Sequence, residues 1–392
     1  MLLIKANGEI MTQEKNVHGL GATSGFIAVA LLAVLLLGPS SYAEGSSQFS
    51  PATAQNLNRT VDEFMAQNNV PGIIVGIWDP LRGEYIAARG LAVVDPPRKI
   101  NDSDLVRIGS ITKEFTATVV LQLVEEKRLS LNDNLDKYYP EVPNASQITI
   151  RMLLAHTSGL PEHMNNTILQ EELIKDPSKR WNLTELIDME TRGAALHPPG
   201  SDFHYSNLNY QLLGGIIEQV TGNPLAEEFS LRLFLPLGLN HTYYPDGAEM
   251  PGEYAHGYIQ TGGVQYDVTS ALDPSVAGAA GAIISNLYDM KVWARAVGRG
   301  ELLSQELQRE RLQWASPNKT EEGVLMIGLG IVYDHGFIGF HGGFNGYQSS
   351  AMYLPDKDAV IVMFLNEMNT TTDSNELFRA LAREAFPKEY KA

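Results

Sequence analysis

Three short patterns hold the residues that could do chemistry. Ser110-Ile111-Thr112-Lys113 sets a hydroxyl and an amine three positions apart, which on a helix places them on one face and within reach of each other. A serine so placed can be acylated if the amine is uncharged near neutral pH and takes its proton. Tyr205-Ser206-Asn207 is the only Tyr-x-Asn among 16 tyrosines and follows His197-Pro198-Pro199-Gly200 in a loop. Taken alone, it also describes a tyrosine packed under a turn and an asparagine capping a helix over 208–220. His341-Gly342-Gly343 closes a strand-like run. Glycines there mark a close backbone approach, a bulge, or a hairpin before Tyr347. Other chemistries are missing. There is no Gly-x-Ser-x-Gly elbow and no His-Glu-x-x-His, and the nine histidines are scattered. With no cysteine at all, disulfides, thiolate metal sites, iron–sulfur clusters and a thiol nucleophile are excluded together.

The elements behind these residues decide which pattern counts. Ser316-Pro317-Asn318-Lys319 repeats the serine–lysine spacing in a polar, proline-containing stretch, so the spacing by itself carries little. Behind Ser110, residues 115–124 (FTATVVLQLV) are apolar nearly all round, which predicts a buried helix. Burial lowers the pKa of Lys113, and a helix N-terminus at Ser110 favours developing negative charge. A helix is expected over 53–68, with Leu57, Val61, Phe64 and Met65 on its apolar face. Strands are expected over 72–78 and 84–92, with Asp79-Pro80 turn chemistry between them. At the far end, strand-like runs cover 326–333, 337–341, 347–354 and 359–365, followed by an amphipathic helix over 376–386. The region between is rich in helices and long loops. The pattern predicts an α+β fold: one antiparallel sheet built from both termini (about 50–109 and 316–392), flanked by helices, with an inserted, mainly helical region at about 110–315.

Composition sets the class of partner. The 392 residues carry 46 acidic against 29 basic side chains, a net charge of −17, which repels phosphate backbones and argues against nucleic acid. Residues 26–37 (FIAVALLAVLLL) form a run of twelve apolar residues, about half of what a bilayer span needs. Gly38-Pro39 and then Ser41-Tyr42-Ala43 follow. This layout predicts a signal peptide over 1–43, a mature chain of 44–392 that is secreted or periplasmic, and no stable membrane span after cleavage; an uncleaved anchor or a buried core helix is the alternative reading of the run. Gly19 to Gly25 lacks the strand–turn–helix context and spacing of a nucleotide-binding loop.

In this order, Ser-x-x-Lys, Tyr-x-Asn and His-x-Gly together resemble the serine β-lactamase and penicillin-binding family. The likeness is nearest to the D-alanyl-D-alanine carboxypeptidases of Streptomyces type (peptidase family S12), which group with class C β-lactamases and family VIII esterases. It spans about residues 55–385, with supporting stretches at 107–115 (RIGSITKEF), 152–160 (MLLAHTSGL), 205–210 (YSNLNY) and 277–285 (AGAAGAIIS). The resemblance implies the β-lactamase/DD-peptidase fold and an acyl-enzyme mechanism without metal or organic cofactor. Ser110 would be the nucleophile and Lys113 its base, with Tyr205 relaying the proton to the leaving group. Asn207 would bind the substrate's acyl amide, and His341 would stand where the third motif has Lys or His. The backbone N–H groups of Ser110 and Phe344, the latter just beyond Gly343, would form the oxyanion hole. His156 would sit in a structural turn below the site. The implied partner is a small-molecule or peptide substrate, either a cell-wall peptide or an ester.

The likeness breaks at the carboxylate clamp. Penicillin-recognising members carry a hydroxyl in the middle of the third motif, where this chain has Gly342, and Phe344 replaces a second threonine. The Streptomyces-type enzymes also use an arginine on the preceding strand, whereas residues 328–334 (GLGIVYD) contain no basic residue. An unpaired carboxylate is expensive to bury. The expectation is therefore an intact acylation apparatus with weakened recognition of a free C-terminal D-alanine. Peptidase stands first, with an esterase or amidase of carboxylate-free substrates as the alternative. A non-catalytic cell-wall peptide binder is the rival class.

Overall fold

The computed structural model describes residues 49–162, 166–190, 196–261, 264–320, 323–368 and 372–391. The leader expected over 1–43 lies outside the described residues. Near the start, Ser50 caps the helix Pro51–Asn68 through its side-chain oxygen, and the chain then runs into β1 (Gly72–Asp79), β2 (Gly83–Val93) and β3 (Arg98–Lys99). Two small ladders lie apart from the main sheet: β4 (Val106–Arg107) pairs with β7 (Ile284–Ser285), and β5 (Tyr258–Thr261) pairs with β6 (Val264–Asp267). The remaining strands are β8 (Ala315–Thr320), β9 (Gly323–Ile327), β10 (Val332–Asp334), β11 (Phe337–Phe344), β12 (Tyr347–Leu354) and β13 (Ala359–Leu365). They join the first three in one nine-stranded sheet of order β3-β2-β1-β13-β12-β11-β10-β9-β8. The named pairings in it are antiparallel.

Helices cover both faces, so the central strands β1, β12 and β13 are buried along their whole length; β1 and β13 read as largely apolar runs rather than alternating ones, whereas β12 also buries Gln348, Ser349 and Ser350. On one face, Ile73, Val75 and Met363 meet Leu57 and Phe64 of the first helix and Phe378 of the last, Ser374–Ala385. On the other, Ile74, Phe340 and Phe364 meet Phe115 and Trp293 of the helices Thr112–Glu125 and Leu287–Arg299. Each such side chain, fully buried, contributes about 1.5–3 kcal/mol. The antiparallel sheet from the two ends of the chain, flanked by helices, is as expected.

One strand reading needs revision, and a stretch that no strand expectation covered is a strand. The run expected over 326–333 is broken, because Gly330 leaves the sheet: its N–H donates to Leu154 O and its carbonyl accepts from buried Arg311. The stretch holding the second serine–lysine pattern is the edge strand β8, so its spacing of three does not place the pair on a helix face.

Candidate active site

Ser110 sits in a 3₁₀ turn, Gly109–Ile111, that runs directly into the helix Thr112–Glu125. Eleven of that helix's fourteen residues are buried, Lys113 and Glu114 among them, as its apolar composition predicts. Phe115 anchors it, stacked on Trp293 with ring centroids 3.5 Å apart. Thr116 Oγ1 donates to Ala279 O at 2.7 Å, which holds the small-residue helix Gly278–Gly281 against the nucleophile helix.

That contact brings a carbonyl to the lysine. Lys113 Nζ donates to Ala280 O at 2.7 Å and to Asn207 Oδ1 at 2.6 Å, and lies 3.1 Å from Ser110 Oγ. Complete burial pulls the amine down to about 7, against the opposing pull of the Glu162 carboxylate. A neutral amine has two hydrogens and one lone pair. With both hydrogens committed to Asn207 and Ala280, the lone pair is left for the serine hydroxyl. On the other side of Ser110 Oγ stands Tyr205 OH, 2.8 Å away. Burial raises this phenol well above the ordinary tyrosine range, so it stays protonated and can pass a proton without carrying charge. The Lys113 ammonium position also faces the rings of Tyr205 and Tyr210, at 4.9 and 5.6 Å.

Asn207 opens the helix Asn207–Thr221, with Ser206 in the capping position. Its orientation is set by a residue that sequence reasoning did not single out. Glu162 accepts from Asn207 N at 2.6 Å and from Asn207 Nδ2 at 2.7 Å, leaving Oδ1 to face Lys113. A single acidic residue following the Gly-Leu-Pro turn has no spacing signature, and its meaning appears only when the loop folds over the helix start. His156 lies under Tyr205, the two rings stacked 4.5 Å apart. Its Nδ1 accepts from Ser206 N at 3.1 Å. Burial first, then the Lys113 charge, hold it neutral, well below the ordinary histidine range. It therefore buttresses the Tyr205 loop, as a turn residue would.

The third motif is arranged differently from the expectation. Two hairpins, turning at His335-Gly336 and Asn345-Gly346 with positive φ at all four residues, flank β11. Each pairs the residues beside a two-residue loop, Asp334 with Phe337 and Phe344 with Tyr347. Such flanking pairs exchange both backbone hydrogen bonds. The two hairpins give the same alternation: Phe344 N–H points into β12, whereas the N–H and C=O of His341 and Gly343 point to the opposite edge. Because β10 pairs only as far as Gly339, the edge beyond it faces the Ser110 turn. Gly343, not Phe344, thus presents its N–H there. The Phe344 side chain instead enters an apolar cluster with Leu169, Trp181 and Val276.

Side-chain alternation has a second consequence. Gly342 faces the Ser110 turn so closely that a Cβ on it would lie 2.1 Å from Ile108 O and 3.0 Å from Ser110 N. Gly109, at φ +52°, lies close to the Gly343 backbone, where a Cβ on it would stand 2.6 Å from Gly343 N. The pair of glycines is a close approach between backbones, and position 342 has no room for a hydroxyl-bearing side chain. His341 points to the other face of the sheet, against Phe378. There its Nδ1 meets Ser350 Oγ at 2.8 Å and its Nε2 meets Asp334 Oδ2 at 3.2 Å. Burial would raise the Asp334 carboxyl, but hydrogen bonds and charge from His341, with His335 and Arg379 alongside, hold it at about 2. Among the described residues, then, Ser110, Lys113, Tyr205 and Asn207 form one hydrogen-bonded group, with the Gly343 backbone at its edge. The His341 side chain stands outside it. Among the same residues, no cluster of three or more His, Asp or Glu could hold a metal, and no helix is long and apolar enough to cross a membrane.

A serine at a helix start, hydrogen-bonded on one side to a buried lysine and on the other to a tyrosine and set beside an antiparallel sheet, defines a serine hydrolase of the β-lactamase fold. The family model described as Beta-lactamase matches residues 57–386, and the chain belongs to that family. It is 28% identical over 310 residues to the putative penicillin-binding protein PbpX of Bacillus subtilis, covering 77% of this chain and 73% of that one. It is also 31% identical over 213 residues to Protein flp of Staphylococcus aureus, covering 52% of this chain; the match takes in only 41% of that longer protein. Among solved structures, a D-stereospecific amidohydrolase from Streptomyces sp. superposes with a TM-score of 0.75 at 29% identity, covering 86% of this chain and 98% of the other.

Proposed function

We propose that the chain cleaves an amide or ester bond through an acyl-enzyme on Ser110, and that its substrates lack a free carboxylate on the leaving side. The observation that carries this reading is the placement of buried Lys113 Nζ, held by Asn207 Oδ1 and Ala280 O and 3.1 Å from Ser110 Oγ, so that the neutral amine has its lone pair left for the serine proton. Ser110 Oγ attacks the substrate carbonyl as its proton passes to Lys113. The oxyanion forms between the N–H groups of Ser110 and Gly343, where each well-placed donor is worth about 10²–10³ in turnover. When the intermediate collapses, Tyr205 OH gives its proton to the departing nitrogen or oxygen and is reprotonated from Lys113. Water then repeats the attack on the ester at Ser110, releasing the acid and restoring the hydroxyl.

The leaving-side preference is supported by what surrounds β11. Residues 328–334 offer no cation and end in Asp334, and position 342 has no space for a hydroxyl. The Streptomyces amidohydrolase likeness supports an amide in particular. D-Alanyl-D-alanine carboxypeptidase is the second reading, favoured by the motif order and by the penicillin-binding relative. It requires a donor for the substrate carboxylate. Export through residues 1–43 belongs to the same proposal, since a cell-wall substrate lies outside the membrane.

The test is intact mass and product release after separate incubations with a fluorophosphonate, penicillin, D-alaninamide, p-nitrophenyl butyrate and a D-Ala-D-Ala peptide. The expected result is a fluorophosphonate adduct on Ser110, release of ammonia or nitrophenol, and no free D-alanine from the peptide. Release of D-alanine would replace the first reading by the second. Absence of any adduct would leave a non-catalytic binder.

A further inference from the structure

We propose that Glu162 is a positioning residue for acylation: its carboxylate clamps Asn207 by both the main-chain and the side-chain N–H, fixing the amide so that Oδ1 faces Lys113, and it supplies the one anionic side chain of this group. The inference rests on the acyl-enzyme reading above and adds to it a residue that touches neither Ser110 nor the reacting bond.

The geometry leaves little freedom. An asparagine amide can be turned by 180° about its last bond, exchanging oxygen for nitrogen at nearly the same positions. If it were turned, Nδ2 would point at the lysine and two donors would meet, while Oδ1 would point at the Glu162 carboxylate and two acceptors would meet. Two short charge-assisted bonds to one carboxylate, at 2.6 and 2.7 Å, forbid that arrangement. The lysine's second partner, Ala280 O, is main chain and fixed by the fold. Asn207 is therefore the adjustable acceptor, and Glu162 is what fixes it.

The carboxylate also acts by its charge. Among the described residues, the groups facing Lys113 are Ser110, Asn207 and Ala280 O, the rings of Tyr205 and Tyr210, His156, and Glu162. His156 is held neutral, and burial keeps both phenols protonated. Glu162 alone in this set is an anion, and it favours the protonated amine. Removing its charge lowers the pH at which Lys113 gives up its proton. A merely structural residue would leave that pH where it is.

The experiment compares wild type with Glu162→Gln, Glu162→Ala and Glu162→Asp. The readouts are kcat/KM for p-nitrophenyl butyrate from pH 5 to 10, the fluorophosphonate labelling rate by intact mass, and the thermal unfolding midpoint. In Glu162→Gln the acid limb should move to lower pH by about one unit, while the plateau rate falls about tenfold as the amide is freed. Glu162→Ala should show the same shift with a larger loss of rate, and Glu162→Asp should keep the wild-type limb. An unmoved limb in both neutral variants, with folding intact and Ser110 still labelled, overturns the inference. If wild type itself fails to label, it is the acyl-enzyme reading that falls. Should one neutral variant not fold, the other decides.

Discussion

Lys113 concentrates the chemistry of this site at a single atom. A lysine side chain ordinarily holds its proton far above neutral pH, and only complete burial brings this one down to about 7. The sign of the pH dependence follows. Below about 7 the amine is charged, has no lone pair for Ser110, and cannot take the serine's proton; above it, the base is available. The acid limb of kcat/KM should therefore lie near pH 7 and fall about tenfold per unit below it. Lys113→Arg stays charged at every accessible pH and should lose at least about 10³ in rate while still folding, since members of such a group act as a unit. Ester hydrolysis across pH, with circular dichroism of the variant, checks both. A limb near pH 5 would mean that a carboxylate is the base instead. Ser110, Lys113, Tyr205 and Asn207 were legible in the sequence because each belongs to a short pattern and because a wholly apolar helix follows the first. Glu162 was not, since a lone carboxylate in a loop acquires its role only from what folds against it.

At the scale of the element, β11 shows where a sequence pattern stops being enough. The start of the strand and its glycine pair could be read directly, but the expected run stops at His341, three residues short of Phe344, and the hairpin before Tyr347 is only one of the readings open. Which residues face the serine could not be read. In a strand the facing residue depends on phase, and a shift by one position reverses every side chain. The phase here is set by the two-residue hairpins at His335-Gly336 and Asn345-Gly346, whose register emerges only with the partner strands. The expectation that His341 contacts substrate and Phe344 donates to the oxyanion fails on that phase by one residue. Gly342 then changes meaning, from a missing hydroxyl to a required gap. Gly342→Thr should not confer acylation by penicillin. Its Cβ would lie 2.1 Å from Ile108 O, so the Ser110 turn or the strand must shift, and the oxyanion donors with it. The expected loss is about 10²–10³ in the fluorophosphonate labelling rate, measured by intact mass against time. Faster penicillin acylation in this variant would show that residue 342 faces the substrate after all.

Across the whole molecule, the helix Thr112–Glu125 is the part that sheet and inserted region grip together. Trp293, on the helix Leu287–Arg299 that packs against the sheet, stacks on Phe115 and donates from Nε1 to Glu114 Oε2 at 2.9 Å. Elsewhere in the inserted region, Phe229 and Phe234 pack edge-on against Phe115, while Arg311 reaches Thr118. The burial of this helix was legible from its composition, but the polar ties were not, because their partners lie some 180 positions further along the chain. One tie is costly. Burial raises the Glu114 carboxyl to about 7, although the Arg311 charge and the Trp293 bond oppose the shift. Between the unfolded value of 4.5 and about 7, the folded chain binds a proton that the unfolded chain has lost. The contribution of Glu114 to stability is therefore fully present below pH 4.5 and disappears as pH rises through 7. Glutamine keeps the acceptor for Trp293 and cannot ionise. Glu114→Gln should thus unfold at about the wild-type temperature at pH 4.5 and several degrees higher, roughly 3–6 °C, at pH 8. Thermal melts of both proteins at the two pH values check this. If the variant is the less stable one at pH 8, the attraction between an ionised Glu114 and Arg311 outweighs the cost of burying the charge. The carboxylate would then be a support of the nucleophile helix rather than a strain within it.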